Sequence, residues 1–263
     1  MGSDPISPAI SPIGVFDSGV GGLSILRALR AELPAEHFTY LADSGFAPYG
    51  ERDDSFVMER ARAVAQRLLD EYAVKALVIA CNTATAAAVH LLREELPGLP
   101  IVGVEPALKP ALALTRTGRI GVMATRGTLA SAKFRALHEA LKGRAEFLLQ
   151  PCDGLADAIE NHDGPKIIAL CTRYTGALGR FGTAPGEIDT LVLGCTHYPF
   201  AKQQLRALLG AGVRMVETGE PVARHARRLL EAAGLLMADG AGTVTYLSTG
   251  DLDLLQRSAS HWL

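Results

Sequence analysis

The sequence predicts an α/β fold with two similar halves, each a doubly wound parallel sheet. Short apolar runs alternate along the chain with longer segments of helical periodicity, which is typical of βαβ units. Several of these runs lack polar alternation, as strands buried on both faces should. Two pairs of runs also resemble each other, in the same order and at nearly the same separation.

Nine apolar runs have the length and composition of strands. In chain order they cover residues 13–16, 38–42, 76–80, 101–104, 120–124, 147–150, 191–194, 213–216 and 244–247. Between them the helical period is clearest from Asp53 to Tyr72 and from Gly127 to Leu141. Strands separated by such helices predict parallel pairing, because a parallel connection needs a long crossover.

The internal similarity joins two pairs of strand ends. I-G-V-F-D-S-G-V-G-G at 13–22 resembles I-G-V-M-A-T-R-G-T at 120–128, and L-V-I-A-C-N-T at 77–83 resembles L-V-L-G-C-T-H at 191–197. Either pair alone is compatible with chance similarity between buried strands. Both pairs together favour a duplicated α/β half.

The same similarity suggests where the domains begin and end. It is exhausted by about residue 220, so we expect the strand at 244–247 to return to the first half. The predicted domains are a discontinuous first one, 12–104 plus 222–263, and a second one, 105–221. Since ligands bind beyond the carboxyl ends of parallel strands, two such halves would enclose the active site in a cleft.

Composition excludes several classes of protein. The chain has 263 residues, with 26 Lys plus Arg against 28 Asp plus Glu, and a formal net charge of −2. Without a basic surplus, binding to nucleic acid is not expected. A hydrophobic share of 48% and a charged share of 21% are those of a folded globular protein rather than a disordered one.

The sequence also lacks the patterns of a membrane span, a secretory signal, a zinc knuckle or a disulfide framework. No apolar run approaches the roughly 18 residues that a membrane helix needs. The first residues, M-G-S-D-P-I-S-P, lack a secretory signal and are interpreted as a tag remnant or a loose terminus. The cysteines form no C-x-x-C pair, which argues against a zinc knuckle, and a chain of this length needs no disulfides. We therefore expect a cytoplasmic protein with no membrane partner and no metal.

Two of the cysteines occupy matching strand ends. Cys81 and Cys195 each follow a buried apolar run at equivalent points of the two halves. Where a strand gives way to a helix, the free N–H groups and the helix dipole favour a thiolate. A buried structural cysteine is the ordinary interpretation of one such residue. Two of them, each followed by polar residues, favour a pair of reactive thiols, whereas Cys152 and Cys171 have no matching context and should be inert.

A thiolate opposite a thiol suits inversion at a carbon atom. One base on each side of the carbon removes a proton from one face and returns a proton to the other, without moving the substrate. Cysteine can do both tasks when its pKa lies near neutrality. No motif suggests a Schiff-base lysine, so the carbanion would depend on hydrogen bonds to the substrate carboxylate.

Four motifs carry a resemblance to a known family. D-S-G-V-G-G at 17–22, A-P-Y-G at 47–50, A-C-N-T-A-T at 80–85 and G-C-T-H-Y-P at 194–199 resemble the bacterial glutamate racemases, within the aspartate/glutamate racemase superfamily. The resemblance implies a cofactor-independent, two-base interconversion of L- and D-glutamate that supplies D-glutamate for peptidoglycan. It also implies two α/β domains related by a pseudo-twofold axis, with the active site in the cleft between them.

The resemblance also assigns catalytic roles. It makes Cys81 the base toward D-glutamate and Cys195 the base toward L-glutamate. Asp17 would assist Cys81, and His197 would assist Cys195. Glu160 stands at an acidic position that is thought to partner the histidine. Three plainer interpretations stay open: a helix cap for the aspartate, a packed helix-start residue for the histidine, and a solvated helix residue for the glutamate.

Substrate contacts follow from the chemistry of glutamate. Two carboxylates and one ammonium call for a site rich in neutral donors beside helix N-termini. The polar residues at these strand ends are Asp17, Ser18, Asn82, Thr83, Thr125, Thr128, Thr196 and His197. Tyr49 and Gly50 resemble the family's lip over the side-chain carboxylate, with a surface turn tyrosine as the alternative. Asp43 matches a further acidic position, or is a turn residue before Pro48. No arginine occurs in these motifs, although a dicarboxylate often recruits one.

A nicotinamide oxidoreductase is the first rival interpretation. G-V-G-G-L-S at 19–24 follows a strand, as a dinucleotide loop does, and Asp43 lies further on. However, Ser24 stands where the pattern needs a third glycine or alanine, and Asp17 would repel a pyrophosphate.

A cysteine hydrolase is the second rival. It would pair Cys81 or Cys195 with His197 or His90, but it leaves the other cysteine unexplained. Among racemases, the aspartate racemases share the two strand-end cysteines, but their second motif typically continues with an acidic residue at the position of His197.

A non-catalytic regulator on a racemase scaffold is a third rival, against which both intact cysteines argue. The expected partner is therefore a small-molecule substrate. No motif sets the oligomeric state, and a homodimer stays open.

Overall fold

A computed structural model describes residues 9–263. The segment M-G-S-D-P-I-S-P, interpreted above as a tag remnant or a loose terminus, lies outside the described residues. The strands are β1 (Ile13–Asp17), β2 (Phe38–Ala42), β3 (Ala76–Ile79), β4 (Ile101–Gly103), β5 (Arg119–Ala124), β6 (Glu146–Pro151), β7 (Thr190–Leu193), β8 (Arg214–Val216) and β9 (Val244–Ser248). Each of the nine predicted runs therefore coincides with a strand.

Helices separate most of these strands. The α-helices are α1 (Leu23–Glu32), α2 (Asp54–Tyr72), α3 (Asn82–Glu95), α4 (Leu108–Leu114), α5 (Arg126–Ala130), α6 (Ala132–Glu139), α7 (Leu155–Glu160), α8 (Gly164–Leu178), α9 (Lys202–Leu209), α10 (Gly219–Ala232) and α11 (Leu252–Trp262). Three-ten turns cover Ser44–Phe46, Tyr49–Glu51 and Tyr198–Ala201. None of the helices in the described part of the chain combines the length and the hydropathy that crossing a bilayer requires.

Within the described residues the chain forms two compact units. The first unit contains 9–49, 53–104 and 219–263, and the second contains 50–52 and 105–218. The domain boundaries predicted from the sequence stay a prediction, because this grouping does not test whether either segment folds by itself.

The first unit is built on a five-stranded parallel sheet with the order β4-β3-β1-β2-β9. Every side chain of β1, β2 and β3 is buried, which agrees with the absence of polar alternation in these runs. Helices α2 and α3 cover one face and pack against each other, and α1 packs against α10. The last strand, β9, pairs with β2 in parallel, with Val244 opposite Phe38.

The second unit is built on a four-stranded parallel sheet with the order β6-β5-β7-β8. Its core includes Val122, Phe134 and Val192, while the edge strand β6 is only partly buried. The strand order β2-β1-β3-β4 of the first sheet recurs here as β6-β5-β7-β8. This shared topology is the one that the internal similarity of the sequence predicts.

One predicted helix is wrong in its continuity. The helical period from Gly127 to Leu141 predicts one helix, but α5 and α6 are separated at Ser131. The backbone of Ser131 is extended, with φ −66° and ψ 146°, and its hydroxyl accepts a hydrogen bond from Phe134 N at 3.1 Å. Serine competes in this way with helical hydrogen bonding, so it starts a new helix instead of continuing the old one.

Helix α2 carries a buried stripe and one charged exception. Asp53 caps its first turn by accepting a hydrogen bond from Phe56 N at 2.8 Å. Val57, Ala61 and Val64 are buried at the spacing of one helical face. Arg60 lies on the same face, three residues after Val57, where an apolar residue would continue the stripe.

Candidate active site

In the first unit, the carboxyl ends of β1 and β3 lie side by side. Ala80 N donates to Phe16 O at 2.7 Å, which brings the next residues of both strands, Asp17 and Cys81, to the same edge of the sheet. Cys81 is the N-cap of α3, and its Sγ accepts a hydrogen bond from Ala84 N at 3.4 Å. The prediction that this cysteine lies at a helix N-terminus is confirmed. Both the amide and the helix dipole favour negative charge on its sulfur.

A chain of polar groups connects Cys81 to Asp17. Cys81 Sγ lies 4.0 Å from Ser18 Oγ, and Ser18 Oγ donates to Asp17 Oδ1 at 3.0 Å. Gly19 N donates to the same carboxylate oxygen at 3.2 Å. Helix α1 follows Gly22 and has no side-chain cap, so the interpretation of Asp17 as a helix cap is wrong. The fully buried carboxylate instead accepts a hydrogen bond from the serine that lies beside the thiol.

Asn82 and Thr83 are buried in the first turn of α3. Among residues 9–263, neither Nδ2 nor Oδ1 of Asn82 has a hydrogen-bond partner. A buried amide without partners costs free energy, so native proteins usually satisfy such a group with a neighbour, water or a ligand. Asn82 is therefore well suited to bind a polar ligand beside Cys81.

Tyr49 is almost fully buried, at 1% exposure, so the interpretation of it as a surface turn residue is wrong. Its hydroxyl donates to Asp43 Oδ2 at 2.5 Å. Arg60 binds the same carboxylate through two hydrogen bonds, from Nε to Oδ2 at 3.0 Å and from Nη2 to Oδ1 at 2.9 Å. Arg60 is not among the residues predicted from the sequence, although an arginine inside the apolar stripe of α2 is a signal that could have found it. Asp43 is thus not a mere turn residue before Pro48.

The corresponding strand ends of the second unit, β5 and β7, also lie side by side. Gly194 N donates to Met123 O at 2.7 Å, the counterpart of the bond between β3 and β1. This equivalence places Ala124 where the first unit has Asp17. Thr125 then matches Ser18, as the sequence similarity suggests.

Thr125 and Thr128 are linked at the start of α5. Thr125 Oγ1 accepts a hydrogen bond from Thr128 N at 3.1 Å, and the two hydroxyls are 2.9 Å apart. Gly50, which groups with this unit, approaches Thr125 closely. An added Cβ at Gly50 would lie 3.0 Å from Thr125 Cβ, so a larger residue would press on this threonine.

Cys195 departs from the prediction in one respect. It was expected at the start of a helix, but the chain continues into the three-ten turn 198–201, and α9 begins only at Lys202. Pro199 has no N–H and disfavours an α conformation in the residue before it, which explains the tighter turn. The α-helix dipole that acts on Cys81 therefore has no counterpart at Cys195. Thr196, the next residue, is buried.

His197 takes the place of the helix dipole beside Cys195. Its Nδ1 lies 3.8 Å from Cys195 Sγ, and its Nε2 lies 2.6 Å from Glu160 Oε2. Burial by itself would lower the pKa of His197, but the bonds to Cys195 and Glu160 together raise it well above 6.5. The imidazole is therefore protonated near neutral pH and holds a positive charge against the sulfur. Glu160 is thus not simply a solvated helix residue.

The remaining cysteines are poor candidates for chemistry. Burial raises the pKa of Cys171 to about 11, and burial together with neighbouring thiols raises the pKa of Cys152 further. Their thiols stay protonated at working pH, which supports the expectation that they are inert. The described residues contain no group of three or more His, Cys, Asp or Glu arranged to hold a metal ion.

The structure also bears on the rival interpretations. In the glycine-rich loop, Gly19 N already binds Asp17, and a Cβ at Gly22 would meet Tyr40 Oη at 2.7 Å. Groups of the protein itself thus occupy the part of this loop that would bind a phosphate in a dinucleotide-binding protein. His90 is exposed on α3, away from the buried strand end that carries Cys81, which weakens a hydrolase pair between them.

Matching strand-end cysteines in two α/β units of the same topology point to a class of enzyme, the amino-acid racemases of the aspartate/glutamate type. The family model described as Asp/Glu/Hydantoin racemase matches residues 13–226. A protein named glutamate racemase from Ralstonia pickettii is 48% identical over 250 residues, which are 94% of this chain and 86% of that protein. This chain therefore belongs to the Asp/Glu/Hydantoin racemase family, and it is an isomerase.

Solved structures support the same assignment. A glutamate racemase isoform from Bacillus anthracis matches with a TM-score of 0.84 and 31% identity, covering 96% of this chain and 93% of that one. A glutamate racemase from Francisella tularensis, solved in complex with D-glutamate, matches with a TM-score of 0.81 and 26% identity, covering 97% and 94%. The family resemblance found in the sequence is thus confirmed.

Proposed function

We propose that this protein is a glutamate racemase that interconverts L- and D-glutamate without a cofactor. Cys81 and Cys195 are the two acid/base groups, one for each face of the substrate Cα. The observation that carries the proposal is the pair of buried strand-end cysteines, each with its own charged partner: Asp17 through Ser18 in one unit, and His197 with Glu160 in the other. Family membership and the names of the relatives support the choice of glutamate.

In the direction from L- to D-glutamate, the Cys195 thiolate takes the proton from Cα and becomes a thiol. The electron pair left on carbon then takes the proton of the Cys81 thiol on the opposite face, which leaves a thiolate there. Exchange of both sulfurs with solvent restores the starting state. The reverse reaction uses the same groups in opposite roles, as microscopic reversibility requires.

The partners of the two cysteines suit these roles. The His197 imidazolium stabilises a thiolate on Cys195 by its positive charge. The Cys81 thiol points its weak donor at Ser18, and Ser18 donates to Asp17, so a hydrogen-bonded path leads from sulfur to carboxylate. Each partner group thus affects how readily its own cysteine binds or releases a proton.

The remaining site residues bind and orient the substrate in this proposal. Neutral hydrogen-bond donors of the protein stabilise the carboxylate next to the carbanion better than water does. They act in a site that excludes water, and their positions are fixed before the reaction begins. Asn82 is the foremost of them, since its buried amide has no protein partner among residues 9–263. The others are Ser18, Thr83, Thr125, Thr128 and Thr196. Tyr49 and Gly50 form the lip over the side-chain carboxylate, and D-glutamate made here would serve peptidoglycan synthesis.

Racemisation of single enantiomers tests the proposal. We expect purified protein to convert L-glutamate to the racemate without added cofactor, and to act on L-aspartate at least about tenfold more slowly. Loss of optical rotation gives both rates, and a heat-denatured sample is the control. Faster turnover of L-aspartate would replace glutamate by aspartate as the substrate. No turnover of either amino acid would contradict the proposed reaction.

A further inference from the structure

The Asp43 carboxylate is completely engaged by side chains of its own unit. Its two oxygens accept one hydrogen bond from the Tyr49 hydroxyl and two from the Arg60 guanidinium. Asp43 is fully buried, and it makes no side-chain cap for the three-ten turn that follows it. A buried carboxylate is stable only when it is paired and hydrogen-bonded, so the arginine is needed to keep this charge inside the protein.

Arg60 is held rigidly in this pairing. Its two donors fit the two carboxylate oxygens side by side, which a lysine cannot reproduce. Its guanidinium carbon lies 3.5 Å above the centre of the Phe46 ring, so the cation also packs on an aromatic face. The hydrogen bonds to Asp43 raise the pKa of Arg60 above its ordinary value. The positive charge of Arg60 is therefore paired with the Asp43 carboxylate.

The pairing also determines what Tyr49 can offer. Its hydroxyl proton points at Asp43, and burial together with that bond raises the pKa of the phenol. The ring belongs to the same apolar cluster as Cys81 and packs edge-on against Phe56 at 6.4 Å between ring centres. Tyr49 is thus fixed in position, and its hydroxyl proton is not free to bind a substrate carboxylate.

We propose that Arg60 is a positioning residue, which acts through Asp43 to fix Tyr49 and the lip segment 44–51, and that it does not bind the substrate carboxylate itself. The inference rests on the proposed function, in which Tyr49 and Gly50 form the lip over the glutamate side chain. It explains why a site for a dicarboxylate has no arginine in its binding motifs. The arginine near the lip neutralises a carboxylate of the protein, and neutral donors are left for the substrate.

A double-mutant cycle between Arg60 and Tyr49 tests this proposal. We expect Arg60→Met to raise the KM for L-glutamate about tenfold, with kcat changed less than about threefold, because a poorly held lip weakens binding more than proton transfer. In a Tyr49→Phe background the same change should raise KM by less than about threefold, since the pathway through the hydroxyl is already broken. Arg60→Lys should fall between wild type and Arg60→Met.

Arg62→Met is the matched control, since Arg62 lies on the same helix and pairs with Glu95 at the surface. Its kinetic constants should equal those of wild type. Additive effects of Arg60→Met and Tyr49→Phe on KM, or an unchanged KM in Arg60→Met, would overturn the proposal. If the wild type does not racemise glutamate, the proposed function fails separately. Urea unfolding of wild type, Arg60→Met, Tyr49→Phe and the double variant then tests the positioning role alone. Additive changes in the free energy of unfolding would overturn that role.

Discussion

His197 Nε2 and Glu160 Oε2 lie 2.6 Å apart, although the residues are 37 positions apart in the chain. The bond turns the other ring nitrogen, Nδ1, toward Cys195 Sγ at 3.8 Å. Because the carboxylate binds a protonated Nε2, it favours the imidazolium at the sulfur. His197 and Glu160 thus favour a thiolate on Cys195, as the N-terminus of α3 does on Cys81.

Replacing Glu160 with Gln should lower the pKa of His197 and slow the reaction. Without the carboxylate, less of the imidazole is protonated near neutral pH, so the thiolate of Cys195 loses part of its stabilisation. We expect kcat/KM for L-glutamate at neutral pH to fall by about ten- to a hundredfold. Initial rates of racemisation across pH 6 to about 9 measure the effect.

The same variant has a defined effect on stability. The folded pKa of His197 is raised above 6.5, so its ion pair is fully present below that pH and is lost as the pH rises through the folded value. The wild type should exceed Glu160→Gln in free energy of unfolding by about 1–3 kcal/mol near pH 6, and by less in alkaline buffer. Glu139→Gln, at an exposed glutamate paired with Lys142, is the control. A difference that grows with pH would contradict the assigned charge state.

Removal of either strand-end thiol should abolish racemisation. Cys81→Ala and Cys195→Ala each delete one of the two proposed acid/base groups, so we expect turnover to fall by at least about a thousandfold. Cys152→Ala and Cys171→Ala are the matched controls, because those buried cysteines lie outside the proposed proton path. Optical rotation of L-glutamate solutions gives the rates. Near-normal turnover in Cys81→Ala or Cys195→Ala would refute the pairing.

Gly22 is predicted to be essential for the position of Asp17. Its backbone is ordinary, with φ −62°, so alanine introduces no torsional strain there. An added Cβ, however, would come within 2.7 Å of both Asp17 Cβ and Tyr40 Oη. We expect Gly22→Ala to lower kcat about tenfold or more, because small displacements of catalytic groups are costly.

Gly176→Ala is the control for this substitution. Gly176 is exposed on α8, and an added Cβ would meet nothing within 4 Å. Its replacement should leave kcat unchanged and raise the free energy of unfolding by up to about 1 kcal/mol through helix propensity. Equal rates in both variants would mean that the close packing at Gly22 does not bear on catalysis.

Asp189 is predicted to stabilise the second unit without a role in the reaction. It lies immediately before β7, at the opposite end of the strand from Cys195, and accepts hydrogen bonds from Thr115 Oγ1 and Arg116 N, both at 2.6 Å. Burial raises its pKa, but these and further hydrogen bonds leave the pKa below 3.8. Asp189→Asn should lower the free energy of unfolding at neutral pH by about 1–3 kcal/mol, with kcat retained.

The pH dependence of that loss follows from the sign of the shift. A lowered folded pKa adds stability above 3.8 that is lost as the pH falls through the folded value. The difference between wild type and Asp189→Asn in urea unfolding should therefore shrink in acid. Asp157→Asn, at a half-exposed residue paired with Lys166, should have little effect at any pH. A larger difference in acid than at neutral pH would contradict the role assigned to Asp189.

The sequence was sufficient for those parts of the molecule that depend on local pattern. All nine strands found in residues 9–263 could be located, because buried parallel strands are short apolar runs between helices. The likeness of the two halves could be predicted from two pairs of similar strand ends. The break at Ser131 was missed, since a capping serine within an amphipathic period looks like a surface residue of one helix.

Long-range polar contacts could not be derived from pattern. The pairing of Glu160 with His197 was expected only from resemblance, because nothing local brings the end of α7 to the loop after β7. The bond between Arg60 and Asp43 was not expected at all. The two cysteine-bearing strand ends also differ in a way that their sequence similarity does not suggest, since the helix dipole at Cys81 has no counterpart at Cys195.

The most direct test of the two-base account is the fate of the α-hydrogen when unlabelled L-glutamate reacts in D₂O and the reaction is stopped early. In the proposed mechanism, Cys195 removes the substrate proton, and Cys81 delivers a deuteron that it already holds from solvent. The first D-glutamate formed should therefore carry deuterium at Cα, while recovered L-glutamate stays mostly protiated, because a thiol returns the single proton that it took. Early D-glutamate that retains the substrate hydrogen, or equal exchange into both enantiomers, would contradict the assignment of Cys81 and Cys195 as separate bases.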